Sequence, residues 1–343
     1  MRRAARTALL PAVLTVLAVA VQFVSAVAPR RGPTWLPGPE SSTAGAVLWG
    51  MVAPLGTFAV LVGACGLGYR EARHRDVGRT YLRYVGTVAG AGATVMLLVF
   101  AGGVVLAGSS GSNPFAGLLS LVTLLVGLPG VLTVAALAGV SLAPTRGDDT
   151  PVRSTRELLP VAVGAGAVAG VGFVLESVAD LATAASDGVG VAAWLPQFGS
   201  VGRTLLTYLQ VGRLAGDLTL IGAGIAVGVL AVRRRGVVAP SRRFVGVVGA
   251  GALAGLLVAW APVMWYVTSA NAPATDGVEI AATALASAVV STAAVAVFAV
   301  VAGVGVAQFG ADEDDADGSE DTDGLDFEPV TETPASERSL RDH

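Results

Sequence analysis

Apolar residues in this chain come in long unbroken stretches, without the polar face that a water-facing helix carries. Residues 84–145 contain no charged side chain, and neither do 41–69, 244–275 or 280–311. A helix in a soluble core keeps an outer face in water, so charges recur along it. A hydrocarbon layer about 30 Å thick requires roughly 20 apolar residues per helix. The pattern therefore predicts an all-α, polytopic transmembrane bundle over residues 1–311, with about eight spans near 8–28, 45–68, 84–107, 116–142, 159–182, 213–232, 244–268 and 280–307. The runs are continuous and do not alternate apolar with polar, which selects helices over barrel strands. The longest uncharged run is divided at 108–114, where Gly-Ser-Ser-Gly-Ser-Asn-Pro makes a polar, turn-rich hinge.

The first span also has the features of a secretory signal, with basic residues before it and Ala26-Val27-Ala28 after it. Its apolar run is longer than a signal core and Pro29 would follow the cut, so a retained helix is expected. Cleavage would leave seven spans.

Charge then orients the bundle. With the N-terminus in the cytoplasm, 18 of the 22 arginines fall in inner segments, leaving Arg30, Arg31, Arg203 and Arg213 outside or near a helix mouth. This positive-inside bias places both termini on the cytoplasmic side of a cell membrane. The tryptophans agree: Trp35, Trp49, Trp194, Trp260 and Trp265 fall in outer positions, while Tyr69, Tyr81 and Tyr84 gather at the inner surface, as interfacial belts would have them. Ser241-Arg242-Arg243-Phe244 resembles a twin-arginine signal but is internal, and reads as a basic flank.

The last 32 residues, 312–343, carry 13 acids and two arginines, against a net charge of about +8 for the rest. Too little apolar surface is present there to offset ordering entropy, so a disordered cytoplasmic tail is expected. It is either a solvated extension or an acidic arm for a basic cytoplasmic protein partner. No nucleic-acid partner is expected. The absence of lysine, with abundant Ala, Gly, Val and Arg, resembles the composition of salt-adapted proteins.

Two further patterns bear on assembly. Trp35-Leu36-Pro37 precedes the second span and Trp194-Leu195-Pro196 the sixth, an offset of four helices that suggests a parallel four-plus-four repeat. Val-Gly-Arg-Thr recurs at 77 and 201 and implies a different pairing, so one similarity is accidental. Glycines at 86 and 90, 166 and 170, 224 and 228, and 251 and 255 form small-x-x-x-small pairs suited to close helix approach. Pro129 and Pro262 are candidate kinks.

Four charges stand where charge is expensive. Glu176 and Asp180 lie one turn apart near the outer end of the fifth span, and Arg213 and Asp217 one turn apart near the outer end of the sixth. Adjacent helices would set one arginine among three carboxylates. Three readings follow: a fixed ion-pair cluster, side chains snorkelling to water, or a cation or proton site in which excess carboxylate holds an exchangeable proton.

Exclusions narrow the rest. Without lysine there is no retinal Schiff base and no P-loop lysine. His74 and His343 are the only histidines, which removes bis-histidine haem ligation and zinc-protease spacing; no metal or other cofactor is expected. Cys65 is alone and reads as a small buried apolar residue. The Tyr-Asp and Gly-x-Gly-Asp pair of intramembrane aspartyl proteases is incomplete, since the chain has Ala179-Asp180 and Leu214-Ala215-Gly216-Asp217. No catalytic residue and no enzyme activity are expected. The remaining classes are a permease-like transporter or channel component, with Glu176, Asp180, Arg213 and Asp217 near its pathway, and a non-catalytic scaffold or assembly subunit acting through its tail or outer loops.

Overall fold

The computed structural model describes residues 8–21, 43–74, 81–107, 114–143, 155–186, 191–192, 194–235, 237, 240–271 and 277–318. Among these, every regular element is helical. The helices are α1 (Ala8–Val21), α2 (Thr43–His74), α3 (Tyr81–Ala107), α4 (Pro114–Leu142), α5 (Thr155–Glu176), α6 (Val178–Ala184), α7 (Val201–Leu218), α8 (Gly224–Arg235), α9 (Arg242–Asn271), α10 (Gly277–Ala288) and α11 (Ala294–Gly318). A π-helical turn at Thr219–Ala223 joins α7 to α8, and another at Val289–Ala293 joins α10 to α11. Six of the resulting rods are long and apolar enough to cross a bilayer, so the chain is a multi-pass membrane protein.

Local sequence explains where rods begin. Pro114 starts α4, where its missing N–H costs nothing. Ser200 and Ser241 accept hydrogen bonds from the backbone N–H groups of Arg203 and Phe244, capping α7 and α9. Five prolines among the described residues, Pro11, Pro54, Pro129, Pro160 and Pro262, lie inside helices.

Close packing is achieved by small residues. A methyl added to Gly166 would lie 2.6 Å from the carbonyl oxygen of Gly251, and one on Gly170 2.9 Å from that of Gly255. Helices α5 and α9 thus meet backbone to backbone. The same device joins α2 to α4, where Gly68 faces the Ala136 carbonyl and Gly139 that of Cys65. It joins α8 to α11, where Gly228 faces the Val300 carbonyl and Gly303 that of Ile225. In both latter pairs each glycine meets the carbonyl three residues before the partner glycine. Gly86 and Gly90 differ: a Cβ at either would meet nothing within 4 Å.

Several expectations change. The sixth rod starts at Val201, not near 213, because Ser200 caps a stretch whose polar residues Arg203, Thr204, Tyr208 and Gln210 lower its hydropathy without breaking its helix. Helix α11 continues to Gly318, into the segment expected to be disordered, since extending an existing helix costs far less than starting one. The rest of the tail lies outside the described residues, as do Trp35-Leu36-Pro37, the hinge at 108–113 and the proposed cleavage site. Tyr84 is 9 % exposed and packs in the core, so it is no belt residue; Trp194 and Trp265 are 77 % and 78 % exposed. Cys65 is half-buried.

Candidate functional site

Three interruptions of helical geometry occur at one level of the bundle. The first is at Ser177, between α5 and α6, where the buried hydroxyl donates to the Phe173 carbonyl. The others are the two π-turns. Glu176 ends α5 immediately before the first, Asp217 lies two residues before the second, and Thr292 sits inside the third. Wide π-turns leave backbone groups without α-helical partners and recur at functional sites.

Depth along the rods agrees. Asp217 is sixteen residues from Arg233, Thr292 sixteen from Gln308 and Glu176 twenty from Arg156. At 1.5 Å per residue, these are about 24 Å from Arg233, about 24 Å from Gln308 and about 30 Å from Arg156. The three residues therefore sit at similar heights, toward the end of the bundle away from Arg156 and Arg233.

The side chains meet directly. Thr292, fully buried, donates its hydroxyl to Glu176 Oε2 at 3.2 Å. Thr15, Thr94, Thr133 and Ser141 instead bond the carbonyl four residues earlier in their own helices, the usual outlet for a hydroxyl in an apolar helix. Ser291 also makes that local bond, to Ser287, and lies 3.5 Å from Thr292. The Glu176 stem packs on Gly216, where an added methyl would be 2.6 Å from Cγ. Gly216 and Gly212 are buried small residues that let α7 reach α5.

Asp217 is half-buried and turns toward α4: a Cβ at Gly127 would lie 3.0 Å from Asp217 Oδ2. The contact is in register with two others along these parallel rods, Gln210 donating to Ser120 above it and Ile221 against Gly130 below it.

The four charges expected to form one cluster divide into two layers. Glu176 and Asp217 are half-buried; Asp180 and Arg213 are exposed on the protein surface. Arg213 acts electrostatically on all three carboxylates, and Asp217 on Glu176. Among the described residues, however, no hydrogen bond or ion pair joins Arg213 directly to a carboxylate. The tight contact is Glu176 with Thr292, which the charge pattern did not single out. Its signal in the sequence is faint: Ser291-Thr292 is a hydroxyl pair in an uncharged stretch that also holds Thr283 and Ser287. Gly127 was legible only as a member of a glycine-rich composition, and Gly216 only as part of an incomplete protease motif.

No group of three or more metal-ligating side chains is present among the described residues. An apolar cavity of about 570 Å³ lies beside the site, between α3, α4, the first π-turn with α8, and α11. Ala89, Ala93, Leu125, Pro129, Ile221 and Val306 are in its wall. Compared with known protein families, characterised proteins and solved structures, the chain finds no match.

Proposed function

We propose that this protein is a permease-like transporter of the cell membrane that passes a proton or small cation by way of Glu176 and Asp217. The observation that carries this reading is the Thr292 to Glu176 hydrogen bond, which ties together two rods interrupted at that level. A hydroxyl bound to a carboxylate within a membrane bundle, with a second carboxylate on the next rod, is a polar station in an apolar medium. Ionisable groups in such a medium mark ion and proton pathways, and transporters place their sites where helices are discontinuous.

Eight spans in two parallel halves of four suit this reading. The glycine-to-carbonyl register of α2 with α4 recurs in α8 with α11, four rods later. Glu176 and Asp217 then both belong to the second half, with Asp217 turned toward α4 of the first. The arginine-rich end faces the cytoplasm on the positive-inside rule.

Reconstituted vesicles test the proposal. Proton uptake driven by a potassium diffusion potential, and sodium uptake driven by its own gradient, are measured for the wild type, Glu176→Gln and Asp217→Asn. The expected result is flux in the wild type and a loss of at least tenfold in either variant, with Asp180→Asn close to wild type. Unchanged flux together with lower thermal stability would leave a structural cluster and no pathway.

A further inference from the structure

We propose that the apolar cavity beside Asp217 binds a lipophilic organic cation, with its hydrocarbon body between α3, α4, α8 and α11 and its charge at the Asp217 carboxylate. The inference rests on the transport reading for its biological use and adds an organic cation, as a second substrate, to the proton or small cation of that site.

Volume and wall chemistry define the body of the occupant. About 570 Å³ is a usual size for a small-molecule site. Its wall is almost wholly apolar, and the hydroxyl of Thr133, the one polar side chain there, is already bonded to the Pro129 carbonyl. A hydrophilic ion would lose its hydration in this space and gain no partner. Aliphatic or aromatic carbon fits.

Charge comes from one end. Leu218 and Val126 line the cavity, and their chain neighbours Asp217 and Gly127 are the pair in contact between α7 and α4. One turn further along, Ile221 and Gly130 both form part of the wall. Asp217 and Gly127 are not themselves in the wall, so the carboxylate stands just beyond this end of the cavity, next to Leu218, and the remaining space extends away from it past Pro129 and Ile225. The acidic side chains at that end are Asp217 and, packed on the neighbouring Gly216, Glu176, while Asp180 and Arg213 lie exposed on the surface. The local balance favours a cation and disfavours an anion of the same shape.

The cavity also lies between the two proposed halves, since α3 and α4 belong to the first and α8 and α11 to the second. Transporters built from repeats commonly hold substrate at that boundary.

The test uses the full chain in lipid discs and two ions of matched shape, tetraphenylphosphonium and tetraphenylborate. Binding to protein-free discs of the same lipid is subtracted. The cation is expected to bind, with the borate at least tenfold weaker, a difference of about 1.4 kcal/mol. Asp217→Asn should weaken the cation at least tenfold, and Ala93→Phe should remove its binding by filling the cavity. Equal binding of the two ions would overturn the proposal and leave a cleft that accepts only hydrocarbon, such as a lipid tail. Unchanged cation affinity in either variant would also overturn it. The two ions are compared on the wild-type chain, so a variant that fails to fold leaves the proposal falsifiable. Binding in discs needs no gradient, which separates the two readings. Cation binding without flux of any ion removes the transporter and keeps the site; proton or sodium flux without cation binding removes the site and keeps the transporter.

Discussion

Adding one methyl group to a glycine should have opposite effects on the two sides of this bundle. At Gly166 the new Cβ would fall 2.6 Å from the Gly251 carbonyl oxygen. Restoring an ordinary contact of about 3.4 Å requires α5 and α9 to part by about 0.8 Å, a gap that forfeits a quarter to a half of each dispersion contact. Over the facing backbones, at about 0.1–0.2 kcal/mol per atom pair, that loss amounts to roughly 2–3 kcal/mol. Alanine returns about 1 kcal/mol through its better helix propensity. Gly166→Ala should therefore destabilise by about 1–2 kcal/mol. Gly86→Ala and Gly90→Ala meet nothing within 4 Å, so only the propensity gain applies and stability should rise by up to about 1 kcal/mol. Thermal unfolding in one detergent, at about 2–4 °C per kcal/mol, resolves a difference of this size. If Gly166→Ala and Gly86→Ala shift the midpoint equally, close backbone packing of α5 on α9 is not what holds these rods together.

Other consequences follow from the site. Thr292→Val and Glu176→Met should couple: in a double-mutant cycle the two stability effects should depart from additivity by about 1 kcal/mol, whereas additive effects would dissolve the bond. Deleting Gly222, which has open space where a Cβ would stand, should turn the first π-turn into ordinary helix at little cost in stability while lowering flux, because the π-turn is one residue more than an α-helix needs. A deletion that leaves flux intact would strip that turn of its role. Orientation can be read by thiol labelling after Cys65→Ala. A cysteine at Trp194 should react in intact cells, and one at Arg235 only after permeabilisation; the reverse pattern would invert the topology.

How much was legible beforehand depended on the range of the interaction concerned. Continuous apolar runs and arginine spacing are local, so they announced a helical membrane bundle and most rod positions directly from residues such as those at 84–145. The start of α7 was missed because a hydropathy pattern ends where polarity rises, while the helix ends only where its hydrogen bonds do. Glu176 and Asp217 were visible because an intramembrane charge is rare. Thr292 was not, because a hydroxyl in an apolar helix ordinarily satisfies itself on its own backbone.

Tertiary structure decided the rest. Among the glycine pairs, it alone separated Gly166 and Gly170, pressed against α9, from Gly86 and Gly90, which face open space, since composition is blind to which face of a helix meets a neighbour. It placed Asp217 against Gly127 and Thr292 on Glu176, contacts between residues 90 and 116 positions apart. It left Arg213 and Asp180 on the surface, dividing a cluster that sequence spacing had drawn together. The sequence alone determined that the chain must live in lipid, because the solvation of each segment depends on that segment's own atoms. Which charges share a site depends on how rods rotate and cross, and those angles are set by packing among distant residues.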